Sequence, residues 1–192
     1  MRLRSWASFP LLAICCSSSM AAEHPSPCAA HPTEPRWHVY VDIKDRFCFE
    51  YPPQYHVAPT VTAPGVGGIP ANEWVARLAT NPQPMELASA DDETNATINV
   101  VAHGTPFHPS GLSSFAPTGM EDVPPKRIHT RHAEFYYYGP GGGGVDYPDS
   151  YYFGLRGRTF SFEFYGPYDG DKTPAAITKQ MEPKLLASFR GF

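Results

Sequence analysis

The chain has 192 residues, of which 42% are hydrophobic, and it contains 22 prolines and 16 glycines. This length suits one domain with flexible ends, and the many turn-forming residues exclude an all-helical protein. The formal net charge is −4. Because the chain has neither a basic run nor interleaved basic and aromatic residues, nucleic acid is not the expected partner.

Residues 1–22 have the pattern of a signal peptide. Arg2 and Arg4 precede a short apolar run, residues 10–16, and small residues follow as far as Ala22. The run is far shorter than the roughly 20 apolar residues of a membrane-spanning helix, so no transmembrane segment is predicted. We therefore expect an exported protein, periplasmic or secreted, with cleavage after Ala21 or Ala22.

Lipidation is an alternative route of export. The run Leu-Ala-Ile-Cys at residues 12–15 is similar to a bacterial lipoprotein signal, in which a cysteine becomes the acylated first residue. Ile14, or Cys15 if Cys16 is the acceptor, occupies the position that this pattern gives to a small residue. Association with a membrane is therefore expected only if Cys15 or Cys16 is lipidated.

Cys28 and Cys48 are the two cysteines that follow the signal peptide. An even pair in an exported protein predicts one disulfide, which would join a proline-rich flexible arm, residues 23–36, to the first hairpin. Closing a loop of about 20 residues contributes roughly 3 kcal/mol of stability in the chain-entropy model. Two free thiols are the alternative interpretation.

The region from residue 37 to residue 165 alternates apolar and polar side chains, as antiparallel strands do. A hairpin over residues 37–51 ends where Pro52 and Pro53 remove two backbone donors. A short helix is expected near residues 112–115. The further predicted strands cover residues 73–80, 96–103, 126–138, 151–155 and 158–165.

The C-terminal residues predict one amphipathic helix, with Thr173 as N-cap and Pro174 at the first helical position. Its apolar stripe consists of four residues spaced by four, Ile177, Met181, Leu185 and Phe189. We expect this stripe to pack on the phenylalanine face of the last strand, formed by Phe160, Phe162 and Phe164. The predicted fold class is α+β, an antiparallel sheet of about six or seven strands with this helix on one face.

Two segments carry a resemblance to a known family. The first is the strand end Phe47-Cys48-Phe49-Glu50-Tyr51-Pro52, and the second is the helix end Leu186-Ala187-Ser188-Phe189. With the order of elements between them, residues 37–192 resemble the PsbP-like fold family, which includes extrinsic photosystem proteins and small exported bacterial proteins and lipoproteins. The resemblance implies one domain over residues 37–192, a sheet with a second helical layer, and a role in binding or assembly without a shared active site.

An enzyme is the rival interpretation. The chain has no Gly-x-Ser-x-Gly elbow and no His-Glu-x-x-His motif. His103 and His108 flank a turn at Gly104, and their convergence with neighbouring carboxylates would favour a small exported hydrolase or a metal-dependent enzyme. The glycine run at residues 139–144 lacks the lysine and hydroxyl of a phosphate loop, so no cofactor is predicted.

Tyrosines are concentrated around the glycine run and predict a binding surface, since exposed tyrosines offer large contact area at low entropic cost. Their burial under loops or a helix is the alternative. The sequence therefore favours an exported non-catalytic binding or accessory module of the cell envelope or extracellular space, with a protein or small-molecule ligand as partner. The predicted surface residues are Tyr136, Tyr138, Tyr147, Tyr151 and Tyr152.

Overall fold

The chain forms two antiparallel sheets that pack face to face. The computed structural model describes residues 28, 33–60, 62–63, 72–80, 96–117, 119–139, 148–165 and 174–192. In chain order the elements are β1 (His38–Asp42), β2 (Phe47–Tyr51), β3 (His56–Val57), β4 (Thr62–Ala63), β5 (Asn72–Ala79), β6 (Thr97–Pro106), a 3-10 helix (Pro109–Phe115), β7 (Lys126–His129), β8 (Glu134–Tyr138), β9 (Asp149–Leu155), β10 (Arg158–Tyr165), α1 (Pro174–Ser188) and β11 (Arg190–Gly191).

The α+β class is confirmed, but the predicted single sheet is replaced by two. The small sheet has the order β1-β2-β11, and the large sheet has the order β3-β5-β6-β10-β9-β8-β7, with β4 also paired to β5. Strand β2 lies across the large sheet rather than within it. The rings of Phe49 and Phe162 meet edge to face at 5.1 Å, so the two sheets share one core.

Helix α1 covers the same face of the large sheet as β2. It begins at Pro174, as the sequence predicts, while Thr173 lies outside the described residues. Leu185 is fully buried, and Phe189, just past the helix end, packs its ring 4.7 Å from that of Phe153. Burial of each of these side chains contributes roughly 1.5–3 kcal/mol.

The opposite face of the large sheet is covered differently from the prediction. Leu112 of the 3-10 helix is buried there against Tyr138 and Tyr152, which confirms the short helix expected near residues 112–115. In the part of the chain that the structure describes, this face carries no α-helix. The second helical layer that the resemblance implies is therefore not found among those residues.

The predicted long strand over residues 126–138 is two strands. The chain reverses after β7, where the Thr130 backbone N–H donates to the Ala133 carbonyl at 2.9 Å and the Ala133 N–H donates to Thr130 Oγ1 at 3.1 Å. Strand β8 then returns antiparallel to β7. Because β7 is the last strand of the large sheet, its basic residues, Lys126 and Arg127, lie at an exposed edge.

The amino-terminal arm is joined to the small sheet. Cys28 and Cys48 form the predicted disulfide, with Cα atoms 6.0 Å apart. The Glu50 carboxylate accepts hydrogen bonds from the Thr33 backbone N–H at 2.8 Å and from the Thr33 hydroxyl at 2.9 Å. The predicted signal peptide, with Cys15 and Cys16, lies outside the described residues. Among the described helices, none has the length and apolar character needed to cross a membrane.

Candidate functional site

The histidines of the enzyme hypothesis lie in different environments. His103 is on β6 and only 5% exposed, whereas His108 is exposed at the start of the 3-10 helix. The His103 ring is 4.8 Å from the Phe115 ring and 5.6 Å from the Tyr152 ring, centroid to centroid. One histidine is thus enclosed by aromatic side chains and the other faces solvent, so they do not form one solvent-filled site.

His103 belongs to a buried hydrogen-bond network. Its Nδ1 lies 3.2 Å from Asn72 Oδ1, and its Nε2 lies 2.9 Å from the Ser161 hydroxyl oxygen. Ser161 Oγ is also 3.0 Å from Glu163 Oε1, and the Tyr165 hydroxyl donates to Glu163 Oε2 at 3.1 Å. These contacts join β5, β6 and β10 on the face of the large sheet that the 3-10 helix covers.

The protonation of this network is coupled. The Ser161 hydroxyl has a single hydrogen and donates either to Glu163 or to His103. Burial lowers the pKa of His103 to about 4, so the imidazole is neutral at pH 7. Burial also raises the pKa of Glu163. A proton on Glu163 would therefore let that carboxyl donate to Ser161 and release the serine hydrogen to His103.

Ser161, His103 and Asn72 follow each other in the order nucleophile, base and orienting group. Access decides against catalysis at this position, because Ser161 is 0% exposed and a substrate cannot reach its hydroxyl. Within the described residues, no group of three or more His, Cys, Asp or Glu side chains is placed to hold a metal ion. The convergence of His103 and His108 that the enzyme alternative requires is therefore not found among the described residues.

Most of the predicted tyrosine surface is buried. Tyr138, Tyr151 and Tyr152 are 1%, 7% and 6% exposed, and Tyr147 lies outside the described residues. The Tyr151 hydroxyl donates to the Glu182 carboxylate at 2.6 Å beneath α1. Both faces of the large sheet are covered, so alternation sends these tyrosines into one core or the other. Tyr136 alone of the described members is half-buried.

Tyr136 lines an open pocket of about 450 Å³ at one end of the large sheet. Its ring lies 5.9 Å from the ring of Phe107, which directly follows β6. Phe189 and Phe192, before and after β11, also line the pocket. We call this site the aromatic pocket and define it by the walls Phe107, Tyr136, Phe189 and Phe192.

Glycine allows the close packing around the aromatic pocket. A Cβ added to Gly154 would come within 3.0 Å of three atoms of the Phe107 ring, and one added to Gly191 would lie 2.8 Å from Leu155 Cδ1. The side chains of Phe107 and Leu155 therefore occupy the space that a larger residue would fill. Both glycines also line the pocket itself.

Charged side chains surround the mouth of the aromatic pocket. Exposed Arg156, in the turn between β9 and β10, donates from Nη2 to the Phe192 carbonyl at 3.0 Å. Glu134 forms an ion pair with Arg127. His132 also lines the pocket, and its pKa is lowered by desolvation and by the nearby charges of Arg190 and Arg131. The charged lining side chains are thus Arg156 and Glu134, and Arg127, Arg131 and Arg190 lie close to lining residues.

Sequence reasoning found one wall of this pocket, Tyr136, and missed the other three. Phe107 and Phe192 each directly follow a strand, and neither shows any periodic pattern that marks it as part of a site. Gly154 could have indicated the pocket from the sequence, because a glycine within an aromatic strand often marks the close approach of another group.

A solved structure of similar fold comes from a cyanobacterium. The chain is similar to cyanobacterial PsbP. The solution structure of that protein (CyanoP) from Synechocystis sp. PCC 6803 superposes with a TM-score of 0.47 and 12% sequence identity, over 85% of this chain and 98% of that chain. The sequence resemblance and this comparison name the same kind of protein, a PsbP-like one. No protein-family model matches the chain, and the search of curated proteins finds no match.

Proposed function

We propose that the protein is an exported, non-catalytic binding or accessory module of the cell envelope or the extracellular space, and that the aromatic pocket is where it binds. The observation that supports this most is the pocket itself, an open concavity of about 450 Å³ with four aromatic walls. Binding sites for small ligands have this size and composition. Tyr136 is also a member of the surface that the sequence predicted for binding.

The chemistry of the pocket favours binding over catalysis. Among the described residues that line it there is no serine, threonine or cysteine to act as a nucleophile. The serine and histidine that do lie within hydrogen-bond distance of each other, Ser161 and His103, are buried beside Tyr152 and do not line the pocket. A module that holds a partner, without transforming it, agrees with both facts.

Export is the second part of the proposal. Residues 1–22 act as the signal peptide, residues 23–36 as the arm, and residues 37–192 as the domain. The disulfide between Cys28 and Cys48 supports this part, because such bonds persist in oxidising compartments outside the cytosol. Lipidation at Cys15 or Cys16 would place the same module at a membrane surface.

Photo-cross-linking in the producing cells tests the proposal. The photoreactive residue p-benzoylphenylalanine replaces Tyr136, and in a control variant it replaces Val57, which is 56% exposed on β3 at the far edge of the large sheet. After irradiation, the intact mass of each variant is measured. We expect a discrete covalent adduct from position 136 and none of that mass from position 57.

The mass of the adduct identifies the type of partner, since a small added mass indicates a ligand and a large one a protein. Identical adducts at both positions, or no adduct at position 136, would contradict the proposal that the aromatic pocket is the binding site.

A further inference from the structure

We infer that the aromatic pocket takes a small amphipathic acid, with an aromatic body inside the pocket and a carboxylate at its mouth bound by Arg156. The inference rests on the proposed binding function and adds the chemical class of the ligand. It is carried by three features of the described residues, namely the aromatic walls, the position of Arg156 and the balance of charge around the rim.

The walls select a flat apolar group. Phe107 and Tyr136 are tilted by 56° relative to each other at 5.9 Å, and Phe189 and Phe192 also line the pocket. Aromatic rings prefer edge-to-face or offset contacts, which a ligand ring in the pocket could make with these walls. The volume of about 450 Å³ suits a small ligand rather than a folded partner.

Arg156 is placed to bind a carboxylate at the mouth. Its guanidinium is exposed, lines the pocket and contacts the Phe192 carbonyl through Nη2. A guanidinium has five N–H donors in a planar fork that matches a carboxylate. The guanidinium carbon of Arg46 lies 5.8 Å from the Phe192 ring centroid, which adds a second cation beside the same wall.

The charge of the rim favours an anion over a cation. The whole chain is acidic, with a net charge of −4. The arginines beside the lining residues, in contrast, are Arg127, which pairs with Glu134, and Arg131 and Arg190, whose charges act on His132. Glu134 is the sole acidic side chain among the described lining residues, and it is already paired with Arg127. An acidic ligand therefore meets complementary charge, whereas a cationic one would compete with Arg127.

A titration of the purified mature protein tests the ligand class. The probes are hydrocinnamate and its neutral primary amide, which share the ring and differ in charge. Backbone amide shifts are followed by NMR at concentrations up to about 10 mM. We expect hydrocinnamate to shift the amides of Tyr136, Gly154 and Gly191, and to bind at least about tenfold more tightly than the amide.

Variants locate the carboxylate. Arg156→Gln is expected to weaken hydrocinnamate binding about tenfold and to leave the weak binding of the amide unchanged. Arg156→Lys keeps the charge and loses the planar fork, so its affinity for hydrocinnamate should lie between those of the wild type and Arg156→Gln. This variant replaces Arg156→Gln in the test if the glutamine perturbs the turn. Lys184→Gln on α1 removes the same charge at an exposed site outside the pocket and should have no effect.

Equal affinity of the acid and the amide at the pocket would overturn the anionic class while leaving a binding pocket in place. The absence of shifts at Tyr136, Gly154 and Gly191 with both probes, or shifts scattered over the surface, would overturn the whole inference. The proposed function is judged separately, by whether the cross-linker at position 136 captures a partner in the cell.

Discussion

The backbone N–H of Glu50 donates a buried 2.8 Å hydrogen bond to the hydroxyl of Ser188, a residue 138 positions later in the chain. Ser188 in turn donates to the Leu185 carbonyl at 2.6 Å. The bond joins β2 to the last turn of α1. It therefore connects the two sequence segments that resemble the PsbP-like family and holds the small sheet and the helix over the same core.

Replacement of Ser188 by alanine should destabilise the fold by about 1–3 kcal/mol, because the Glu50 N–H would remain buried without an acceptor. Urea unfolding followed by tryptophan fluorescence measures the loss. The control is Ser114→Ala, since Ser114 is exposed in the 3-10 helix and bonds only the nearby Gly111 carbonyl in the described contacts. Equal losses in the two variants would show that the Glu50–Ser188 bond contributes no particular stability.

Acid should destabilise the protein through His103. Its pKa in the folded state is about 4, below its ordinary value of 6.5, because burial among Phe115, Tyr152 and Ser161 disfavours the charged ring. The unfolded state therefore binds more protons between these values. The stability is fully present above pH 6.5 and falls as the pH drops toward 4, by up to about 3 kcal/mol.

Urea unfolding at a series of pH values checks this for the wild type and for His103→Gln, in which the acid-dependent loss should shrink. His108→Gln, a change at an exposed histidine, is the matched control. Glu163 has the opposite effect on stability as the pH falls, because burial raises its pKa. The acid-dependent loss of stability in His103→Gln is therefore compared with that in His108→Gln. Parallel curves for all three proteins would contradict the assignment to His103.

Loss of the disulfide should lower the free energy of unfolding by about 3 kcal/mol, because its removal frees a loop of 20 residues in the unfolded chain. The measurement compares unfolding with and without reductant. In the double variant Cys28→Ser, Cys48→Ser, the reductant should change nothing. A wild type insensitive to reductant under conditions that reduce the bond would contradict a stabilising role.

Gly154→Ala should destabilise the protein by about 1–3 kcal/mol and displace Phe107, since the new methyl group has no room beside that ring. The displaced ring would alter the aromatic pocket, which amide chemical shifts at Tyr136 report. Gly111→Ala is the matched control, because a Cβ there lies 3.9 Å from the nearest side chain, an ordinary contact. Unchanged shifts and stability in Gly154→Ala would exclude close packing of Phe107 on Gly154.

Export should leave a defined amino terminus. The intact mass of the protein from its producing cells is expected to correspond to a chain that starts at Ala22 or Glu23, and to increase by two alkyl groups only after reduction and alkylation. A chain that starts at Cys15 or Cys16 with added diacylglycerol mass would instead show the lipoprotein route. A full-length chain would exclude both routes.

Local patterns in the sequence were sufficient to predict the hairpins, the C-terminal helix and the short helix near Leu112. The period of two in the strands and the period of four in α1 come from backbone geometry, so each is visible in a short window. Pro174 marks the beginning of α1 for a similarly local reason, its fixed backbone angle. The pairing of Cys28 with Cys48 followed from their number and the expected compartment.

What tertiary structure alone decided is which faces are covered and which distant residues meet. Alternation shows that Tyr151 and Tyr152 point to opposite sides of β9, but not that α1 covers one side and the 3-10 helix the other. The reversal at Thr130 depends on hydrogen bonds to Ala133 within a segment whose pattern continues as a strand. The aromatic pocket joins Phe107, Tyr136 and Phe192 from separate elements. Such contacts depend on the packing of whole sheets, which no short window of the sequence contains.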